Sequence, residues 1–184
     1  MNMWFRLILT LLRARFGSRL TTSDASHVRF RVWPTDLDPN IHMNNGRYAT
    51  LMDLGRIDLM GRAGKLSALT EAKVYPVVTA QHILYRRALQ PFERFTLSTR
   101  LIGADERFFF MEQRFLRGGP DGELAARGLV QALFVRRGGG RLPTSEVAEL
   151  FGLDAVPAVP NAVRAMFPPP PGANDDATQA RSAA

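Results

Sequence analysis

Residues 35–56 read TDLDPNIHMNNGRYATLMDLGR, and the fold is decided by how this stretch is parsed. Thr35 to Met43 has turn chemistry centred on Asp38-Pro39-Asn40: proline fixes its own φ, and Asp and Asn hydrogen-bond nearby backbone. From Asn44 the pattern becomes helical. Asn44 is a plausible cap, and Tyr48, Leu51, Met52, Gly55 and Leu59 recur on one face. The helix is expected to run to about Arg62, with Gly61 and Gly64 as its stop.

Upstream, Val28, Phe30 and Val32 alternate with Arg29 and Arg31, which predicts a half-buried strand over His27 to Trp33, ended by Pro34. Downstream the period changes to extended. Val74 to Ala88, Phe95 to Ile102, Phe108 to Arg117 and Leu124 to Arg137 read as strands. They are joined by Gln90-Pro91-Phe92-Glu93, by Gly103-Ala104-Asp105-Glu106 and by Gly118 to Gly122, and short turns of this kind join antiparallel neighbours. One strand, one long helix and about four strands of a meander define an α+β domain whose antiparallel sheet wraps a single helix. A short helix is expected at Ser145 to Phe151. Beyond Pro157, Pro160 and Pro168 to Pro171 the chain is polar and alanine-rich, and Phe167 onward is expected to be mostly disordered. The expected parts are therefore an N-terminal helix (1–19), the main domain (26–140) and a C-terminal extension (141–184).

The 184 residues are 46% hydrophobic and contain no cysteine, which excludes disulfides, thiolate metal sites and a cysteine nucleophile. The net charge of +7 would suggest nucleic acid as a partner. Only Lys65 and Lys73 are lysines, however, and the arginines are scattered from Arg6 to Arg181 without a finger, a helix-turn-helix or an aromatic platform. Arginine and alanine excess is also what a GC-rich coding sequence produces, and no nucleic-acid role is expected. His27, His42 and His82 lack metal-ligand spacing, so no metal site is expected. Gly61-Arg62-Ala63-Gly64-Lys65 imitates a phosphate loop, but two residues separate the glycines and Leu66 stands where Ser or Thr is needed; a helix stop is simpler.

Met3 to Phe16 (MWFRLILTLLRARF) is apolar but too short to span a bilayer, about 21 Å against a core of about 30 Å. On a helical wheel Arg6, Thr10 and Arg13 fall together, with Trp4, Leu7, Ile8, Leu11 and Leu12 opposite. That is the pattern of a helix lying in a membrane interface, and Arg15 and Arg19 would favour anionic lipid. The other reading is a helix packed on its own domain or on a partner subunit. A cleaved signal peptide fits poorly, since an arginine interrupts the apolar run and no cleavage site follows.

The chemistry is densest where the decisive stretch began. Two carboxylates, a histidine and three asparagines arrive together at the amino end of the only long helix. A helix start offers unpaired N–H groups and positive dipole to a carbonyl that is gaining charge, and a carboxylate beside it can attack or activate water. The same residues could equally serve only as caps and turns.

The pattern D-L-D-P-x-x-H-M-N-N-x-x-Y-x-x-x-x-D-x-x-R resembles the hotdog-fold acyl-CoA thioesterases of the 4-hydroxybenzoyl-CoA thioesterase group. It is most similar to their branch that includes the eukaryotic thioesterase superfamily member six, over roughly Ser26 to Gly138. The resemblance implies hydrolysis of acyl-CoA thioesters without metal or cofactor. Asp38 would be the catalytic base or nucleophile, and the N–H of Asn45 would polarise the thioester carbonyl. His42 and Asn44 would shape the loop and water site, Tyr48 would lie one turn into the helix near substrate, and Arg86 and Arg87 would be candidates for the CoA phosphates. Asp53 and Arg56 are expected to pair with each other. The resemblance also implies a homodimer or homotetramer with sites built where two subunits meet. A hotdog dehydratase is disfavoured, because Met43-Asn44-Asn45 follows His42 where that class has another pattern. The alternative function is a non-catalytic binder of acyl-CoA or lipid at a membrane surface. The expected location is cytoplasmic, with peripheral attachment to the inner face of the membrane through residues 3–16.

Overall fold

The computed structural model describes residues 3–21, 23–153 and 155–168. Helix α1 (Met3–Phe16) is followed by strand β1 (Ser26–Arg31), a 3-10 turn (Pro34–Asp36), the long helix α2 (Asn45–Arg62) and the short α3 (Lys65–Glu71). Strands β2 (Val74–Tyr85), β3 (Arg94–Ala104), β4 (Phe109–Arg117), β5 (Leu124–Arg136) and β6 (Arg141–Leu142) come next, then α4 (Thr144–Leu150) and α5 (Asn161–Arg164). The strands form one antiparallel sheet in the order β1-β3-β4-β5-β2, with β6 on β5.

That order corrects the expected meander. β2 does not pair with β3; it crosses to the far edge and pairs with β5. Residues 86–93 are a crossing, not a hairpin, and Leu89 anchors it by full burial in the core while its carbonyl accepts the N–H of Met43 (3.0 Å). β1 takes the vacated place beside β3.

α2 lies across the middle strands. A side chain at Gly55 would bring a Cβ within 2.5 Å of Thr99 Oγ1 and 2.9 Å of Leu97, so glycine there sets how closely helix and sheet approach. Tyr48, Leu51, Met52 and Leu54 of α2 pack with Leu97, Phe115, Ala126 and Val130 of the sheet into the main core. Gly61 is not a stop. It is inside α2, and a Cβ there would lie 2.5 Å from that of Ala14, which makes it the point of contact with α1. The chain turns only at Gly64 (φ 72°), into α3, an element the sequence reading did not foresee. Lys65 then donates to the carbonyl of Phe151 (2.5 Å), a structural tie that leaves no phosphate loop.

α1 packs on its own domain through its polar side. Its polar stripe faces inward: Arg6 and Thr10 are buried, Arg6 bridges the equally buried Asp36 (2.5 Å) and donates to the Arg31 carbonyl (3.0 Å), and Arg13 lies 3.3 Å from the fully buried Asp58. Leu7 turns in with Met3 against the main core. Trp4, Phe5, Ile8, Leu9, Leu11, Leu12 and Phe16 point outward. A buried carboxylate demands a partner more strongly than a leucine demands burial, and that decides which face goes in.

Phe167, expected to begin a disordered end, is instead buried and packs on Phe110 with ring centroids 5.8 Å apart. It closes a cluster with Leu129, Val159 and Val163 on the face of the sheet opposite α2. The remainder of the expected disordered end, 169–184, lies outside the described residues.

Candidate active site

The Asp38 loop is a miniature hairpin pinned to its own carboxylate. Leu37 and Met43 form an antiparallel bridge, and Asp38 N–H donates to the His42 carbonyl (2.9 Å). Asp38 Oδ1 accepts the N–H of Asn40 (2.9 Å) and of His42 (3.3 Å). Among the described residues Asp38 Oδ2 has no partner, so one oxygen builds the loop and the other is uncommitted. At the tip, Ile41 holds φ 61°, a left-handed conformation that a β-branched residue resists. His42 is half exposed, with Nδ1 3.8 Å from Asp38 Oδ1, beyond hydrogen-bond length but within reach on a small movement.

The two aspartates of the D-L-D pair have different duties. Asp36 is buried, bound by Arg6, and accepts the N–H of Trp33 (2.9 Å); it joins α1 to the loop and takes no part at the surface. Its carbonyl accepts the N–H of Asn44 (2.8 Å), which seats the loop on the helix start.

There, Asn44 is the cap: its side-chain oxygen accepts the Gly46 N–H (2.8 Å). The cap is the one expected from the sequence, and it commits the carboxamide oxygen to shaping the loop and helix start. The Asn45 N–H is one of the first-turn donors for which a helix supplies no carbonyl, and it sits in the positive end of the α2 dipole. Tyr48, also expected near substrate, is corrected to a core residue. It is 2% exposed, its ring meeting that of Tyr85 edge-on (centroids 5.0 Å apart) and that of Phe115 at a tilt (4.8 Å). Burial pushes its phenol up to about 12, with a bond to Leu89 backbone acting in the opposite direction.

Tyr85 brings the end of β2 to the same place, its hydroxyl donating to the Asn45 carbonyl (3.4 Å). The next residues, Arg86 and Arg87, both donate backbone N–H to Ala125 and line a shallow hollow with Glu123 and Leu124. Arg87 is paired with Glu123 (3.1 Å), whereas the Arg86 guanidinium has no acceptor among the described residues. Tyr85 is a neighbour of the helix start that sequence reasoning missed, because only the crossing of β2 to the far edge reveals it.

Farther along α2, Asp53 and Arg56 are bonded to each other as expected, and Arg56 also donates to Gln113 (2.7 Å). Burial lowers the pKa of Arg56, with Asp53 opposing. Beside them a mainly apolar cavity of about 280 Å³ opens between α2, β2 and the inner face of the sheet, lined by Ile57, Met60, Val78, Met111 and Phe134 among others. Ile57 and Met60 lie off the helix face that the sequence pattern marked, so periodicity gave no sign of this space.

This fold is shared by known proteins. The sequence model of the Thioesterase-like superfamily matches residues 32–167. YbaW of Escherichia coli, named a probable thioesterase, superposes with a TM-score of 0.64 at 21% identity, covering 69% of this chain and 96% of that one. A mutant 4-hydroxybenzoyl-CoA thioesterase in complex with 4-hydroxybenzoyl-CoA does so with 0.61 at 14%, covering 68% and 97%. The fold is the hotdog fold, and the chain belongs to the thioesterase-like superfamily. Within it the chain is similar to the THEM6 proteins. It is 37% identical to Protein THEM6 of Danio rerio over 128 residues, 68% of this chain and 63% of that protein. It is 39% identical to Protein THEM6 of Xenopus laevis over 85 residues, 46% of this chain and 41% of that protein. The chain thus spans less than two thirds of the length of these relatives.

Proposed function

We infer that the protein hydrolyses acyl-CoA thioesters to free acid and CoA. The observation that carries this is an Asp38 carboxylate oxygen without a partner among the described residues, on a loop seated against the start of α2, where the Asn45 N–H lies at the positive end of the helix. The Asn45 N–H would bind the thioester carbonyl and hold the oxyanion that forms as it is attacked. Asp38 Oδ2 would take a proton from water as the hydroxide adds to the carbonyl carbon; collapse then breaks the C–S bond and the proton passes to the departing thiolate. Direct attack by Oδ2 would give a mixed anhydride that water cleaves, with the same products. His42 lies where it would orient that water. Arg86, next to Tyr85 at the helix start, would meet a CoA phosphate.

The apolar cavity begins about two turns farther along α2, on the face that carries Gly46, so an aliphatic chain leading from a carbonyl held at Asn45 would enter it. Two copies would pair through β2. This edge strand is twelve residues long, carries Tyr75, Val78, Leu84 and Tyr85 exposed, and has no lysine to guard it.

The test is CoA release, followed with a thiol reagent across acyl-CoAs of graded chain length. Asp38→Asn is the informative variant, since an amide oxygen can keep both loop bonds while losing basicity. The non-catalytic reading, favoured by the outward apolar face of α1, predicts saturable acyl-CoA binding with no CoA release at any chain length.

A further inference from the structure

We propose that α1 and the cleft between it and β1 form a docking surface for an anionic phospholipid bilayer, the helix supplying the apolar contact and the cleft a phosphate headgroup site. The outward residues of α1 occupy one continuous arc at 100° per residue, from Leu11 through Trp4, Ile8, Leu12 and Phe5 to Leu9, with Phe16 at the end. Arg15 lies within that arc, its guanidinium 5.5 Å from the Phe16 ring, positioned to reach up to headgroups while its stem stays apolar. No helix among the described residues is long and apolar enough to cross a membrane, so the helix would lie along the surface.

The cleft beside it is the second, independent observation. It encloses about 830 Å³ and is bounded by Arg6, Arg13, Arg29, Arg31 and Arg94 without one acidic residue. Arg6 and Arg13 are committed to the buried Asp36 and Asp58. Arg29, Arg31 and Arg94 have no carboxylate partner among the described residues, and three unneutralised positive charges on residues that line one space suit a phosphate. Leu9 belongs to both features, so the apolar face runs directly into the basic cleft. The place also separates this surface from the catalytic one: β1 is the sheet edge opposite β2. Charge complementarity selects anionic lipid over a second copy of this chain, which would bring the same arginines.

The full chain is tested by flotation with vesicles of phosphatidylcholine alone and of phosphatidylcholine mixed with phosphatidylglycerol. Binding is expected only to the mixed vesicles, with a blue shift of tryptophan emission as Trp4 leaves water. Replacing Arg29, Arg31 and Arg94 with Gln is expected to weaken binding by about fivefold for each arginine. Ile8→Glu with Leu12→Glu is expected to abolish it. Arg137→Gln with Arg141→Gln, exposed and outside the cleft, is expected to leave it unchanged. Ile8→Ala with Leu12→Ala provides a milder apolar variant, and thermal unfolding of each variant verifies that it is folded.

Equal binding to neutral vesicles would overturn the headgroup site. Unchanged binding in the Ile8 and Leu12 variants would overturn the helix contact. Inorganic phosphate binding at the cleft without any vesicle binding would show an anion site in place of a membrane surface. Self-association abolished by Ile8→Glu, with no vesicle bound, would assign the face to a second copy and overturn the proposal.

Discussion

At the residue scale, Asp38 would serve structure and chemistry together. Asp38 Oδ1 closes the turn and Oδ2 stays free, so a substitution that removes both cannot separate the two roles. The strain at Ile41 is independent of them. Ile41→Asn, which tolerates φ 61°, is expected to stabilise the protein by about 1 kcal/mol, visible as a higher Tm, because an exposed isoleucine contributes little burial there. An unchanged or lower Tm would show that the conformation costs nothing. A second test lies at Glu112, where burial raises the pKa but Arg100 and Arg127 together hold it below the ordinary 4.5. A carboxylate depressed in the folded state stabilises above its unfolded pKa and loses that contribution as pH falls through the folded value. Glu112→Gln should therefore lower Tm at neutral pH, and the gap to the native protein should close below pH 4.5. A gap independent of pH would assign the loss to packing. The sequence marked Asp38 and the helix start, but could not say which of Asp36 and Asp38 was buried, since that depends on an arginine thirty residues upstream.

At the scale of elements, α1 is the instructive case. Its periodicity was readable and its orientation was not, because the wheel shows which residues share a face and says nothing of what that face meets. Asp36 and Asp58 settle it, and neither lies on the helix. Removing residues 1–16 would therefore expose two buried carboxylates to an apolar neighbourhood, and the truncated domain is not expected to remain intact. A single substitution, Arg6→Met, is expected to cost about 3 kcal/mol or more in chemical denaturation, as breaking one half of a buried ion pair does. A loss below 1 kcal/mol would mean that α1 is only loosely tied to the domain.

At the scale of the whole molecule, strand and helix boundaries were legible to within a few residues, since alternation and turn residues mark them locally. Sheet order was not. The crossing of β2 from β3 to β5 depends on Leu89 reaching the core and on β1 claiming the place beside β3, both contacts between distant residues. The crossing leaves β2 as an open edge, and closure through it predicts a dimer by light scattering, with Leu84→Lys shifting the mass toward the monomer. A native monomer would leave the site without a facing subunit and require the cavity to serve alone.

The central claim, hydrolysis at Asp38 and Asn45, is tested most directly by the rate of CoA release for the native protein and for Asp38→Asn on the acyl-CoA the native protein turns over fastest. Turnover reduced by a hundredfold or more, about 3 kcal/mol of transition-state stabilisation, with the fold and acyl-CoA binding retained, is the predicted result. Equal turnover by the two proteins, or none by the native protein on any acyl-CoA that it binds, would contradict it.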